Sequence, residues 1–236
     1  MNAMKERILE LQQRIREAER QSGREAGSVT LVAASKMNNA AAVRAAFDAG
    51  IRVFGENRVQ ELVEKRAQGA YTGAGLHLIG HLQKNKVKFV AGQVDLIQSV
   101  DSLALMEAIE KRCAADGTKQ DVLLELNLAG EESKTGMALS ELPAALEAAG
   151  TFSCLRIKGL MGIPPAGAER AENQAYFARM HELFVDIRGK KYDNVLMAEL
   201  SMGMSGDFED AIREGSNMVR VGTAIFGARN YGQAVQ

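Results

Sequence analysis

Short apolar runs recur along the chain, separated by longer stretches in which apolar side chains return every three or four positions. The short runs lie at 29–35, 51–54, 76–79, 94–99, 121–128, 155–161, 194–200 and 217–221. Each has the length of a buried strand. The intervening segments 39–49, 57–68, roughly 84–91, 101–115, 140–149, 168–188 and 207–214 carry helical spacing. Cap residues support several of these boundaries. Asp101 precedes SLALMEAIEKRCA, Asp207 precedes FEDAIRE, and Gly215 follows that segment. At the start, MNAMKERILELQQRIREAER sets Ile8, Leu11 and Ile15 along one stripe of a charged helix, which predicts an extra surface helix.

Eight strands linked by helices imply parallel pairing, because a parallel connection needs a crossover. In 236 residues the pattern predicts an α/β fold, a (β/α)8 TIM barrel with an extra N-terminal helix, read as one domain over 1–236. An open doubly wound sheet would carry a glycine-rich first turn, and SKMNNA is not one.

Charge and composition narrow the chemistry. A formal net charge of −1, 5% aromatic residues and no Trp argue against nucleic acid and against an anionic membrane surface. The N-terminal segment has no continuous apolar stretch, so it reads as neither a signal peptide nor a membrane span. Cys113 and Cys154 stand far apart without a CxxC, as reduced thiols do, and a cytoplasmic location is expected.

In such a barrel the chemistry gathers at the C-terminal ends of the strands. Lys36 closes the first run, on the same face as Val32 and Ala34. It is either a lysine snorkelling to solvent or an amine that condenses with a carbonyl, and Lys36 alone does not decide. Asn57, in FGENRVQ, is a helix cap or a site residue. His77 lies within the third strand and His81 just past it, while Glu125 and Asn127 share a face of the fifth. At the last two strands, Ser201 with Gly203, and Gly222 with Thr223, combine hydroxyls with bare backbone amides, as a phosphate site needs. Arg220, between Val219 and Val221, points into the barrel if the valines pack outward. There it requires an acceptor, either Glu199 or another carboxylate, or an aromatic ring nitrogen of a ligand.

Taken together, these stretches resemble fold-type III pyridoxal phosphate barrels such as the N-terminal domain of alanine racemase. More specifically, they resemble the pyridoxal phosphate homeostasis proteins (the YggS/PROSC family). The resemblance rests on LVAASK, FGENRVQE, IGHLQKNK, SVDS, GEESKTG, GLMGI, LSMGMSGDFEDAI and VRVGTAIFGAR, in order over nearly the whole chain. It implies that Lys36 holds pyridoxal 5'-phosphate as an internal aldimine. It further implies that Ser201, Gly222 and Thr223 bind the phosphate, that Arg220 faces the pyridine nitrogen, and that Asn57 and His77 lie near the cofactor. Two positions depart from the usual pattern: Leu76 stands where Trp is common, and Gln98 replaces the His of HSVDS.

A cation at the pyridine nitrogen disfavours its protonation and so weakens the ring as an electron sink. The sequence given ends at Gln236, soon after the eighth strand, with no room for the C-terminal β domain that brings alanine racemase its second base. The expectation is a cofactor-holding protein without substantial catalysis, exchanging pyridoxal phosphate with apoenzymes as a monomer. The alternatives are an amino-acid racemase and, outside the cofactor class, a class I aldolase-like lyase using Lys36 directly on a sugar phosphate. The lyase would be colourless.

Overall fold

The structure is a computed structural model that describes residues 3–130 and 135–227. Positions 131–134 of the GEESKTG stretch and the last two residues of VRVGTAIFGAR lie outside the described residues. Eight strands pair in parallel and in chain order, and β8 returns to β1 to close the barrel. They are β1 Thr30–Ala34, β2 Val53–Glu56, β3 Gly75–Leu78, β4 Leu96–Val100, β5 Gln120–Leu126, β6 Leu155–Gly162, β7 Val195–Ser201 and β8 Met218–Val221. The helices are α1 Ala3–Gln21, α2 Ala40–Asp48, α3 Val59–Ala67, α4 Leu103–Asp116, α5 Leu142–Ala149, α6 Arg170–Lys190, α7 Phe208–Arg213 and α8 Thr223–Phe226.

The TIM barrel expected from the pattern is therefore present, with α1 as the added N-terminal helix. Side chains alternate in direction along each strand. One set, including Val32, Ile79, Leu96, Leu123, Met161 and Met218, fills the barrel interior. The other, with Ala33, Phe54, Ile97, Leu124 and Val219, packs beneath the helices. The stripe Ile8, Leu11 and Ile15 on α1 is buried as expected. Buried Glu19 ties that helix to the chain entering β1 by accepting the Gly27 and Val29 amides at 2.9 and 2.8 Å. No described helix is long and apolar enough to cross a membrane.

The differences from the sequence reading are local. Strand β2 begins at Val53 rather than 51, because the Ile51 amide turns back to the Ala46 carbonyl of α2. The helix expected near 84–91 is a 3-10 turn over Lys84–Phe89. Asp101 does not cap α4. Ser102 holds the cap position, and the Asp101 carboxylate meets His81 at 3.1 Å. Asp207 does hold the cap of α7, yet its carboxylate accepts the upstream Met204 amide at 2.6 Å.

At Gly159 the β6–β7 register shifts, and a Cβ there would stand 1.7 Å from the Glu199 carbonyl. Only glycine lets the two backbones come so close. Gly159→Ala is expected to lower the unfolding free energy by about 3 kcal/mol, the upper end of ordinary overpacking costs. Urea unfolding measures it, and an unchanged midpoint would show that the two strands can separate at no cost.

Candidate functional site

Each β–α turn at the C-terminal end of the barrel is set by the strand before it. Strand β1 stops at Ala34, and Lys36 sits half-buried in the turn that follows. The expectation placed Lys36 on the strand itself. Val32 and Ala34 do share the inward face expected of them, both belonging to the interior cluster. Met37 takes φ 63°, a left-handed conformation that costs a non-glycine residue about 1–3 kcal/mol and persists only where surrounding contacts hold it.

Arg220 lies on β8 with its guanidinium sealed in the barrel. It donates through one terminal nitrogen to the Ser201 hydroxyl at 2.5 Å and through the other to the Gly162 carbonyl at 3.0 Å. An arginine has no acceptor, so the Ser201 oxygen must accept that bond, and its own proton goes to Gln98 Oε1 at 2.7 Å. This fixes the amide: Gln98 presents Nε2 to His77 Nδ1 at 2.9 Å. One hydrogen-bonded chain therefore crosses the barrel from β8 through β7 and β4 to β3. Accepting at Nδ1, His77 is a neutral imidazole with its proton on Nε2.

Burial dominates the electrostatics here. It pushes the His77 pKa down to about 4. It also lowers Arg220 to about 10, against the opposing pull of the Glu125 carboxylate, so the guanidinium stays charged at neutral pH. Burial raises Glu125, whose carboxyl accepts the Thr135 hydroxyl at 2.7 Å. The pairing of Arg220 with Glu199 weighed from the sequence is not formed. Burial raises the half-buried Glu199 as well, with Lys158 as its opposing charge.

Around this floor stand the other candidates. Helix α3 has Arg58 at its cap position, so Asn57 is not the cap. Its Oδ1 is buried with no hydrogen-bond partner among the described residues. The Gly80 backbone packs directly on it, where a Cβ would lie 2.3 Å from the Asn57 carbonyl oxygen. A Cβ on Gly222 would meet the Ala34 carbonyl at 3.0 Å, which sets the β8 turn against the end of β1. Gly222 opens α8 and exposed Thr223 follows; the first bond of that turn runs from the Ile225 amide to the Gly222 carbonyl, so the Gly222 and Thr223 amides precede it. Gly203, at φ 94°, lets the β7 turn pass within reach of Ala211 and accepts the Arg220 amide at 3.0 Å. Lys36, Asn57, Gly222 and Thr223 thus occupy neighbouring turns of one barrel end, with Arg220, Ser201 and His77 beneath. Gln98, noted in the sequence only as a departure from a family pattern, is the link between two of the candidates.

The barrel and these strand ends define a class, the alanine racemase N-terminal domain, whose family profile matches residues 3–230. A relative from Pseudomonas aeruginosa named pyridoxal phosphate homeostasis protein is 44% identical over 232 residues, covering 98% of each chain. A solved structure of an unknown protein from Bifidobacterium adolescentis superposes with a TM-score of 0.88 at 39% identity, over 94% of each chain. PipY of Synechococcus elongatus, solved with PLP bound, gives 0.80 at 37% identity, over 90% of this chain and all of its own. The chain belongs to the family of pyridoxal phosphate homeostasis proteins.

Burial of neutral His77 has a pH signature. In the unfolded chain a histidine takes up its proton near pH 6.5, about the ordinary value. The native state resists protonation until about pH 4. The stabilisation is therefore complete above the unfolded value and is lost as pH falls through this window, to a limit of about 3 kcal/mol. His77→Asn is expected to flatten the unfolding free energy between those pH values. Equal slopes for wild type and variant would contradict the neutral, buried assignment.

Proposed function

We propose that this chain holds pyridoxal 5'-phosphate on Lys36 and serves its homeostasis, storing the cofactor and passing it to apoenzymes as a monomer, without substantial turnover of amino acids. The observation that carries this reading is the pairing of a lysine turn after β1 with a sealed guanidinium on β8 whose acceptors among the described residues are both neutral, the Ser201 hydroxyl and the Gly162 carbonyl. The binding of PLP by PipY and the name shared by the curated relatives support it.

The residues present fit the group. When bound, the cofactor supplies an aldehyde that condenses with primary amines. Lys36 offers the amine. Arg220 keeps donors to spare for a ring nitrogen, since a guanidinium has five N–H groups. The Asn57 amide, whose buried Oδ1 has no partner among the described residues, is available to the polar edge of the ring. The amides of Gly222 and Thr223, with the Thr223 hydroxyl, suit a phosphate. The resemblance gives Ser201 to the phosphate as well, and through its bond with Arg220 its hydroxyl also supports the guanidinium.

The same residues limit catalysis. Arg220 stays charged with a pKa of about 10, and a cation at the ring nitrogen opposes protonation there. His77, with a pKa of about 4, holds no proton to spare on Nδ1 and spends that nitrogen on Gln98. The site is therefore better built to keep an aldehyde than to draw electrons out of a substrate.

Mixing purified protein with pyridoxal phosphate is expected to give a visible absorbance band that Lys36→Ala abolishes, with the circular dichroism unchanged. The loaded protein should turn over a panel of L-amino acids far below the roughly 1–1000 per second of ordinary enzymes. Turnover within that range would contradict the reading. Exchange of the substrate α-proton with deuterium oxide, lost in Lys36→Ala, would favour a racemase, and a colourless protein a lyase.

A further inference from the structure

Outside the barrel interior, behind the turn that carries Lys36, lies a buried charged cluster that the site described above does not use. The Glu56 carboxylate is fully buried, and its Oε1 receives three donors: the Ser35 hydroxyl at 2.6 Å, Lys65 Nζ at 2.7 Å and the Tyr71 hydroxyl at 2.8 Å. Its other oxygen is buried with no partner among the described residues. Lys65 reaches on to the Ser35 carbonyl at 2.9 Å and to Glu61 Oε2 at 3.2 Å. That same Glu61 oxygen accepts the Met37 amide at 2.7 Å.

A buried ion pair that served stability alone would need no contact with this turn. Here the bonds end on the two residues flanking Lys36. Ser35 is held at its amide by the Gly55 carbonyl, at its carbonyl by Lys65 and at its hydroxyl by Glu56. Met37 is held at its amide by Glu61, in a left-handed conformation that needs such restraint. The Lys36 carbonyl is closed off by the Asn38 side chain at 3.1 Å. The donors crowd onto the Glu56 oxygen that faces Ser35 and leave its other oxygen without a partner among the described residues, a cost that stability alone does not explain.

We infer that Glu56, Glu61 and Lys65 are positioning residues that clasp the backbone on both sides of Lys36 and thereby set how slowly the aldehyde ligand is released. This rests on the reading that Lys36 carries that ligand. Release is hydrolysis. Water adds across the C=N bond, its oxygen staying on carbon as the aldehyde while both hydrogens pass to nitrogen, which departs as the Lys36 amine. A held turn keeps the freed amine beside the aldehyde, so recapture competes with escape; a loose turn lets the amine swing away.

Ser35→Ala tests this with little disturbance, because Glu56 keeps Lys65 and Tyr71 as donors. Lys65→Met cuts deeper and serves as a second variant if it folds. Ile109→Val on α4, in the apolar core, is a control for simple loss of stability. The readouts are the release of pyridoxal phosphate from loaded protein into a carbonyl trap, the melting temperature, and hydrogen exchange at residues 35–38 in cofactor-free protein. Ser35→Ala is expected to exchange faster at those amides and to release the ligand about tenfold faster, short of the roughly hundredfold cost of a 1 Å misplacement. Its melting temperature should fall only about 2–4 °C, and Ile109→Val should lose as much while releasing at the wild-type rate. Release within twofold of wild type in Ser35→Ala, or equal acceleration in the control, would overturn the inference while leaving the binding reading intact. A wild-type protein that takes up no pyridoxal phosphate would overturn both.

Discussion

A guanidinium shut inside a barrel of apolar side chains dictates much of what surrounds it. Arg220 cannot lose its charge at neutral pH, so the interior must supply oriented acceptors, and it does so through Ser201 and the Gly162 carbonyl. Because the Ser201 oxygen accepts from arginine, its proton must go elsewhere. That requirement orients Gln98, and Gln98 in turn settles which nitrogen of His77 carries hydrogen. The protonation pattern across four strands thus follows from one donor-only side chain. In the proposed site it also sets the chemical character, since a fixed cation rather than a carboxylate would face the ring of a bound cofactor.

The barrel was legible in the sequence because eight short apolar runs of strand length alternate along the chain with seven longer segments of helical spacing. Placement of strand ends was less secure. Lys36, read as the end of the strand on the face of Val32 and Ala34, stands in a turn, because Ser35 and Asn38 bond to each other across it. Asn57 fits a cap by composition, yet the chain turns into α3 one residue later. Pairwise readings along the chain could not reveal Gln98 as a bridge between His77 and Ser201, which lie 21 and 103 positions away from it. Glu56 was hidden for the same reason. Its partners Ser35, Lys65 and Tyr71 come from the turn after β1, from α3 and from the loop after α3, and the pairing of β1 with β2 brings them to one oxygen.

Two polar networks flank the Lys36 turn from opposite sides. The inner one, built on Arg220, is the one that the proposed site sets against the ligand's ring. The outer one, built on Glu56 and Lys65, grips the backbone from which the amine projects. Both are buried, and each accepts the desolvation cost that makes buried charge a poor source of stability. A protein that keeps a reactive aldehyde needs an amine held in place and a ring environment that discourages further reaction, and the two networks answer those needs separately.

The central claim is a covalent link between one lysine nitrogen and the cofactor aldehyde. Borohydride reduction of the loaded protein, followed by proteolysis and peptide mass mapping, addresses it directly. The account predicts a phosphopyridoxyl group on the peptide containing Lys36 and on no other. A reduced adduct on a different lysine, with Lys36 unmodified, would contradict it.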